Sequence, residues 1–154
     1  MQIRTAAKQD ARLLSRLCVH VQRLHAEAYP DLFKPPEQDD FALSFFEMVL
    51  DDPAIYIYIA EDPQPVGYLM CQVVNTTGNP FMFARSFLQI GHISVEPDHQ
   101  GKGVGKMLMD RADQLAAEHA LPMVSLTSWS FNQDAHAFFQ ARGYKTFNLQ
   151  MWKK

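Results

Sequence analysis

Cysteine is scarce in this chain: Cys18 and Cys71 are the only two among 154 residues. That is too few for a disulfide framework or a structural zinc site. His20, His25 and Glu27 have no recognised metal-ligand spacing, so no metal is expected. A reduced, cytoplasmic compartment is the default reading. No apolar stretch approaches the roughly 18 residues that cross a bilayer. The first thirty residues carry Arg4, Lys8, Asp10, Arg12 and Arg16 without an apolar signal core. No membrane partner is expected. A basic excess is also missing, since 14 Lys and Arg stand against 17 Asp and Glu for a net charge of −3. Groove-tracking nucleic-acid binding needs a basic face, and no Lys/Arg cluster supplies one. The chain is 47% hydrophobic and 20% charged, which rules out a disordered protein. Its length fits one domain over residues 1–154.

Periodicity then orders the chain. Residues 2–6 suit a short strand, and Asp10 is placed to cap a helix carrying Leu14, Leu17, Val21 and Leu24. Pro30, Pro35 and Pro36 stop that helix. Asp39 and Asp40 are expected to cap a second, short helix with Phe41, Phe45, Phe46, Val49 and Leu50. The period then changes, and Ile55, Ile57 and Ile59 alternate with Tyr56 and Tyr58 as in a strand. A turn at 62–65 leads to a strand over 66–74, so a hairpin is predicted. After a loop at 75–85 come a strand over 87–95, a Gly-rich turn, and a helix with Val104, Met107, Leu108, Leu115 and Ala116 on one face. Residues 123–129 read as a strand. Asn132 caps a helix that ends at Gly143, and residues 145–152 read as a closing strand. The order β-α-α-β-β-β-α-β-α-β predicts an α/β (α+β) fold, a mixed sheet with helices on both faces.

The strongest chemical signal is Gln100-Gly101-Lys102-Gly103-Val104-Gly105-Lys106, between a strand and a helix. Glycines let backbone approach a ligand closely, and a helix start offers free N–H groups and partial positive charge, which together suit phosphate. A P-loop fails twice, because Met107 follows Lys106 and Gln100 stands where the first glycine belongs. A dinucleotide fingerprint would need glycine at 106 or 108, where Lys106 and Leu108 stand. The pattern Gln/Arg-x-x-Gly-x-Gly/Ala is met by Gln100, Gly103 and Gly105. A plain Gly-rich turn without a ligand is the bland alternative.

The segment Val95-Glu96-Pro97-Asp98-His99-Gln100-Gly101-Lys102-Gly103-Val104-Gly105 resembles the acyl-CoA loop of the GNAT superfamily of N-acetyltransferases. A second block agrees: Asn132-Gln133-Asp134-Ala135-His136-Ala137-Phe138-Phe139-Gln140-Ala141-Arg142-Gly143-Tyr144 is similar to that superfamily's Asn-x-x-Ala-x-x-Phe-Tyr-x-x-x-Gly-Phe. The opening Ile3-Arg4-Thr5-Ala6 with Asp10-Ala11 also resembles the family's start, so the likeness spans essentially the whole chain.

The resemblance implies a mostly antiparallel sheet and an acetyl-CoA cosubstrate. Transfer would be to a primary amine, on a small molecule or a peptide, by direct attack on the thioester. It implies that the backbone of Ile93, Ser94 and Val95 bonds the pantetheine arm and supplies an oxyanion donor. The amides of Gln100, Gly101, Lys102, Gly103, Val104, Gly105 and Lys106 would hold the pyrophosphate. Asn132 would bond the pantetheine, and Ala135, Phe138 and Phe139 would line the thiol end. Many members pair as homodimers through C-terminal strands, so a homodimer is one expectation.

The chain departs from the pattern at the proton path. Gln89 and Gly91 stand where relatives often carry a Glu or His base, and Phe139 stands where the usual Tyr acid belongs. His92 is the candidate base, although without a bulge it faces away from Ile93 and Val95. Tyr144, Ser125 and Ser128 are the nearby hydroxyls, with Tyr144 at a position that is usually core. His25, Tyr29, Phe33 and Trp129 are the candidate acceptor-binding residues. A catalytically silent acyl-CoA sensor is the rival reading.

Overall fold

The computed structural model describes residues 1–154. Five strands, β1 (Gln2–Thr5), β2 (Ile55–Glu61), β3 (Pro65–Thr76), β4 (Arg85–Val95) and β5 (Val124–Leu126), form one sheet in the order β1-β2-β3-β4-β5. All pairings are antiparallel except β4 with β5, which is parallel. Helices α1 (Ala11–Ala28) and α2 (Leu43–Leu50) precede β2, α3 (Val104–Glu118) crosses from β4 to β5, and α4 (Gln133–Ala141) follows. This is the mixed, mostly antiparallel sheet expected from the sequence, with helices on both faces.

Alternation along the strands explains the two cores. Ile57, Ile59 and Tyr68 point to the α1/α2 face and pack with Leu14, Leu17 and Phe46. Tyr58, Ala60, Leu69 and Cys71 point the other way, onto Val104, Leu108, Ala112 and Leu115 of α3. Period-two strands meet period-3.6 helix stripes on each side. Arg111 of α3 closes one end of the second core, with its guanidinium 4.5 Å over the Tyr58 ring and a hydrogen bond of 3.0 Å to the Tyr58 hydroxyl.

Several expected details are corrected. Asp10 sits at the start of α1, but its carboxylate does not bond a helix amide. It accepts the Ala7 N–H at 2.7 Å and both arms of Arg4 at 2.8 and 3.0 Å. Asp39 and Asp40 do not cap α2. Ser15 of α1 instead pins the turn just ahead of α2: its hydroxyl donates to the Asp39 carbonyl at 2.7 Å and accepts the Ala42 N–H at 3.0 Å. Asp40 pairs instead with Arg12 at 3.2 Å. By contrast Asn132 caps α4 as expected, accepting the Ala135 N–H at 3.2 Å, and Gly143 ends that helix at φ +92°.

The closing strand over 145–152 is not formed. The apolar alternation is present, but Phe147, Leu149 and Met151 are 74%, 78% and 89% exposed. The strand expected over 123–129 shortens to Val124–Leu126, so β5 offers little length to pair. The tail is held by Lys154 on Asp31 at 2.8 Å and by Trp152 against Tyr29.

Candidate active site

Strands β4 and β5 pair through only three residues each, Leu88–Ile90 with Val124–Leu126. Past that ladder they part, and a cavity of about 240 Å³ lies between Gly91–Ile93 on one side and Thr127–Trp129 on the other. Helix α1 closes it with Cys18, Val21, Gln22 and His25, and α4 with Asn132, Ala135 and Phe139. A larger open groove outside α1, about 620 Å³, is bounded by Arg12, Arg16, Asp39 and Asp40 and is essentially a salt-bridged surface.

A bulge decides which side chains reach the cavity. Ile90 pairs with Cys71 and His92 with Met70, so Gly91 is one residue extra in β4. The extra residue reverses the alternation. Leu88 and Ile90 before it, and Ile93 and Val95 after it, all face the α3 core. His92 and Ser94 therefore turn to the α1/α2 face. A Cβ at 91 would stand 3.0 Å from the Met70 methyl, the flexible end of that side chain, which would have to shift.

His92 stacks on Phe45 and meets Phe46 edge-on, and its Nδ1 lies 2.9 Å from the Tyr68 hydroxyl. Nε2 is thus the ring nitrogen left to exchange a proton with the cavity. Burial, with a smaller push from nearby His25, holds the His92 pKa below its ordinary 6.5. Nδ1 of His25 lies 2.7 Å from the Val21 carbonyl. A carbonyl only accepts, so Nδ1 carries the proton and the neutral ring has its lone pair on Nε2. The Cys18 thiol on the same wall is pushed up by burial, which keeps it protonated and inert.

The backbone of β4 presents unpaired groups to the gap. Glu96 N–H bonds the Val66 carbonyl, and the antiparallel register continues through Ser94 with Tyr68. The N–H and C=O groups of Ile93 and Val95 consequently point away from β3. The Val95 carbonyl accepts from the Gln100 side chain at 3.0 Å. The expected part for Ser94 is corrected, because its backbone faces β3 in the pair with Tyr68 and its buried hydroxyl donates to the Leu17 carbonyl at 2.8 Å.

The Gly-rich turn sits just beyond. Gly101 and Gly103 have φ of +73° and +88°, and a Cβ on either would meet nothing within 4 Å. Gly103 is the N-cap of α3, whose first amide with a carbonyl partner is Met107, bonded to Gly103. The amides of Val104, Gly105 and Lys106 are left free. Gly105 packs against the Phe138 ring, which a Cβ there would meet at 3.4 Å, an ordinary contact distance. Val104 is buried core, Lys102 is exposed, and the Lys106 ammonium pairs with Asp110 at 2.7 Å. The donors here are backbone amides, which suits a pyrophosphate.

The structure therefore brings together His25, Phe33, His92, Ile93, Trp129, Asn132, Ala135 and Phe139 around one cavity. Tyr29 does not line it. Its ring packs on Trp129 at 5.4 Å and its hydroxyl meets Ser130 at 2.9 Å. Phe138 lies toward the Gly-rich turn, not at the cavity wall. Ser128 reaches the cavity, whereas Ser125 is in the β5 ladder opposite Gln89. The Tyr144 hydroxyl is buried away from the cavity without a partner, its pKa pushed up to about 12 chiefly by burial. Cys18, Val21, Gln22 and Thr127 are cavity residues that the sequence reading did not assign to the site. The first three share a helix face with His25 at spacings of three and four residues, the signal that marks them.

The same architecture occurs in solved structures. A tetramutant of the BH1408 protein from Bacillus halodurans superposes with a TM-score of 0.93 at 22% identity, over 100% of this chain and 99% of that one. Ribosomal-protein-alanine N-acetyltransferase from Brucella melitensis biovar Abortus 2308 gives 0.71 at 22% identity, over 99% and 98%. An aminoglycoside antibiotic 6′-N-acetyltransferase from Acinetobacter haemolyticus gives 0.73 at 17% identity, over 100% and 97%. At these identities the likeness is one of fold. Residues 19–144, which span the split ladder, the Gly-rich turn and the α4 block, match the acetyltransferase (GNAT) family, and the chain belongs to it.

Proposed function

We propose that this protein is an acetyl-CoA-dependent N-acetyltransferase that acts on a primary amine. The observation that carries this reading is the opening beyond the β4–β5 ladder. A cavity holding His25 and His92 lies there, beside the strand whose Ile93 and Val95 backbone faces away from β3, and that strand leads to the free amides at the start of α3.

Acetyl-CoA would supply the thioester that the amine attacks. The chain's own groups are arranged for its three parts. Amides of the Gln100–Lys106 turn take the pyrophosphate oxygens, in a space that any Cβ at Gly101 or Gly103 would enter. Ile93 and Val95 offer backbone donors and acceptors to an amide-bearing arm, in the manner of an added strand. Asn132 spends its side-chain oxygen on the α4 cap and keeps its NH₂ for the arm, while Ala135 and Phe139 wall the thiol end.

Transfer forms a C–N bond and breaks a C–S bond, so one proton leaves the amine and one is needed at sulfur. His92, neutral at pH 7 because its pKa is depressed, takes the amine proton at Nε2 through water. The N–H of Ile93 is the donor available to negative charge building on oxygen. Phe139 has no proton to give, so water protonates the sulfur.

The test has two arms. CoA and acetyl-CoA should raise Tm, with NAD and ATP much less effective, since binding to the folded state alone stabilises it. Thiol release from acetyl-CoA should then depend on an added amine and yield the N-acetyl product. Equal stabilisation by ATP would overturn the cofactor assignment. CoA binding without transfer to any amine would make the protein an acyl-CoA sensor.

A further inference from the structure

The acceptor half of the cavity is built from aromatic rings and lacks charge. Phe33 and Trp129 meet edge-to-face with centroids 4.9 Å apart, and His25 lies 5.0 Å from Phe33 and 6.4 Å from Trp129. Behind them Tyr29 packs on Trp129 at 5.4 Å, Phe131 on His25 at 5.3 Å, and Trp152 of the tail on Tyr29 at 5.7 Å. No Asp, Glu, Lys or Arg lines the cavity. Asp31, in the loop that carries Phe33, is already paired with Lys154 at 2.8 Å. Gln22 spends its side-chain NH₂ on the Lys34 carbonyl at 2.7 Å, and His25 has one free acceptor, Nε2.

These features select among amines. Ring faces attract one ammonium group, and a flat apolar body buries well against edge-to-face aromatics. His25 and His92 both line the cavity, and each has Nδ1 engaged and Nε2 left for an N–H of the amine. A polycation would bring further ammonium groups into a space with no carboxylate to pair them, and an unpaired buried charge is costly. We infer that the acceptor is a primary alkyl monoamine that bears an aromatic ring, and not a polyamine or an aminoglycoside. This inference rests on the transferase reading above.

The experiment uses the full chain with acetyl-CoA and follows both thiol release and the N-acetyl product by mass. The amines are phenethylamine, tryptamine, butylamine, spermidine, an aminoglycoside and a short peptide with a free N-terminus. The expected result is a kcat/KM for phenethylamine and tryptamine at least about tenfold above every other amine. Trp129→Ala and Phe33→Ala should each raise the phenethylamine KM about tenfold, with a smaller change in kcat and a smaller KM change for butylamine. Trp129→Phe should restore most of the affinity, which separates ring recognition from a general loss of packing. If spermidine, the aminoglycoside or the peptide is the best acceptor, this inference is overturned while the transferase reading stands. If butylamine equals phenethylamine, ring recognition is likewise overturned. If no amine is acetylated although acetyl-CoA binds, both readings fall.

Discussion

The Tyr68 hydroxyl, in a fully buried side chain, lies 2.9 Å from Nδ1 of His92 across the β3–β4 pairing. It fixes the imidazole's orientation and leaves Nε2 facing the cavity. His92 is buried enough that its pKa falls below 6.5, so the fold selects the neutral ring. Two pH effects follow from that sign. The unfolded state binds the proton more tightly, so the stabilisation is complete above pH 6.5 and is lost as pH falls through the lower folded value. Tm should decline on acidification through that window, and His92→Gln should flatten the decline while Gln keeps a partner for Tyr68. In rate, His92→Gln should cost no more than about a hundredfold, the low end for a general base. The acid limb of the wild-type profile should lie below 6.5 and vanish in the variant. A limb that survives the substitution would assign the proton transfer to another group.

At Gly103 the backbone has φ +88° and open space where a side chain would begin. Gly103→Val should weaken CoA binding at least about tenfold, about 1.4 kcal/mol. The left-handed conformation should also cost the fold about 1–2 kcal/mol. Calorimetric titration with CoA measures the first and denaturant unfolding the second. Normal CoA affinity in a folded variant would place the pyrophosphate elsewhere.

Gly67 in β3 faces the β4 edge so closely that a Cβ would stand 2.6 Å from the Ser94 carbonyl oxygen and 3.3 Å from the Val95 Cα. Neither atom can rotate away, since both are backbone. Gly67→Ala should therefore push β4 aside, costing about 1–3 kcal/mol of stability. It should also lower CoA affinity, because the Ile93–Val95 edge moves with it. Loss of stability with unchanged affinity would show that this edge does not contact the cosubstrate.

Phe139 is 8% exposed and packs on Phe138 at 5.4 Å and Tyr144 at 5.9 Å, with one side on the cavity. Phe139→Tyr would bring a proton donor to that wall. The expected outcome is an intact fold and a kcat raised by up to about tenfold, measured with one good amine at saturating acetyl-CoA. A fall in kcat would show that the wall must stay apolar.

The parts of the molecule legible in the sequence are those whose signals are local. The Gln100–Lys106 turn, the amphipathic stripe of α3, the Asn132 cap and Gly143 each declare themselves within a few residues. Apart from Asp10, whose partners Arg4 and Ala7 are close by, the misread elements depend on partners distant in sequence. Asp39 and Asp40 look like caps, but Ser15 reaches the α2 start from another helix. Strict alternation over 145–152 looks like a strand, yet alternation cannot say that a neighbour exists, and three-residue β5 gives it none. The bulge at Gly91 has no composition signal, and it alone turns His92 to the acceptor side. The face made by Cys18, Val21 and His25 was visible as a helical stripe, but a stripe does not distinguish cavity wall from core.

The Ser15 hydroxyl also ties the fates of two helices. An eight-residue helix such as α2 is too short to persist alone in water. Its N-cap residue, Ala42, offers no side-chain cap, and the oxygen that receives the Ala42 amide belongs to α1. Fraying of α1 at Ser15 therefore releases α2 in the same event, and amide exchange should report the pair as one cooperative opening unit. That unit carries Cys18, Val21, Gln22 and His25, the α1 wall of the cavity. The α4 wall is anchored in the other core, as is α3 behind the Gly-rich turn. Transient opening on the α1 side can thus renew the contents of the acceptor half while the Gly-rich turn stays in place.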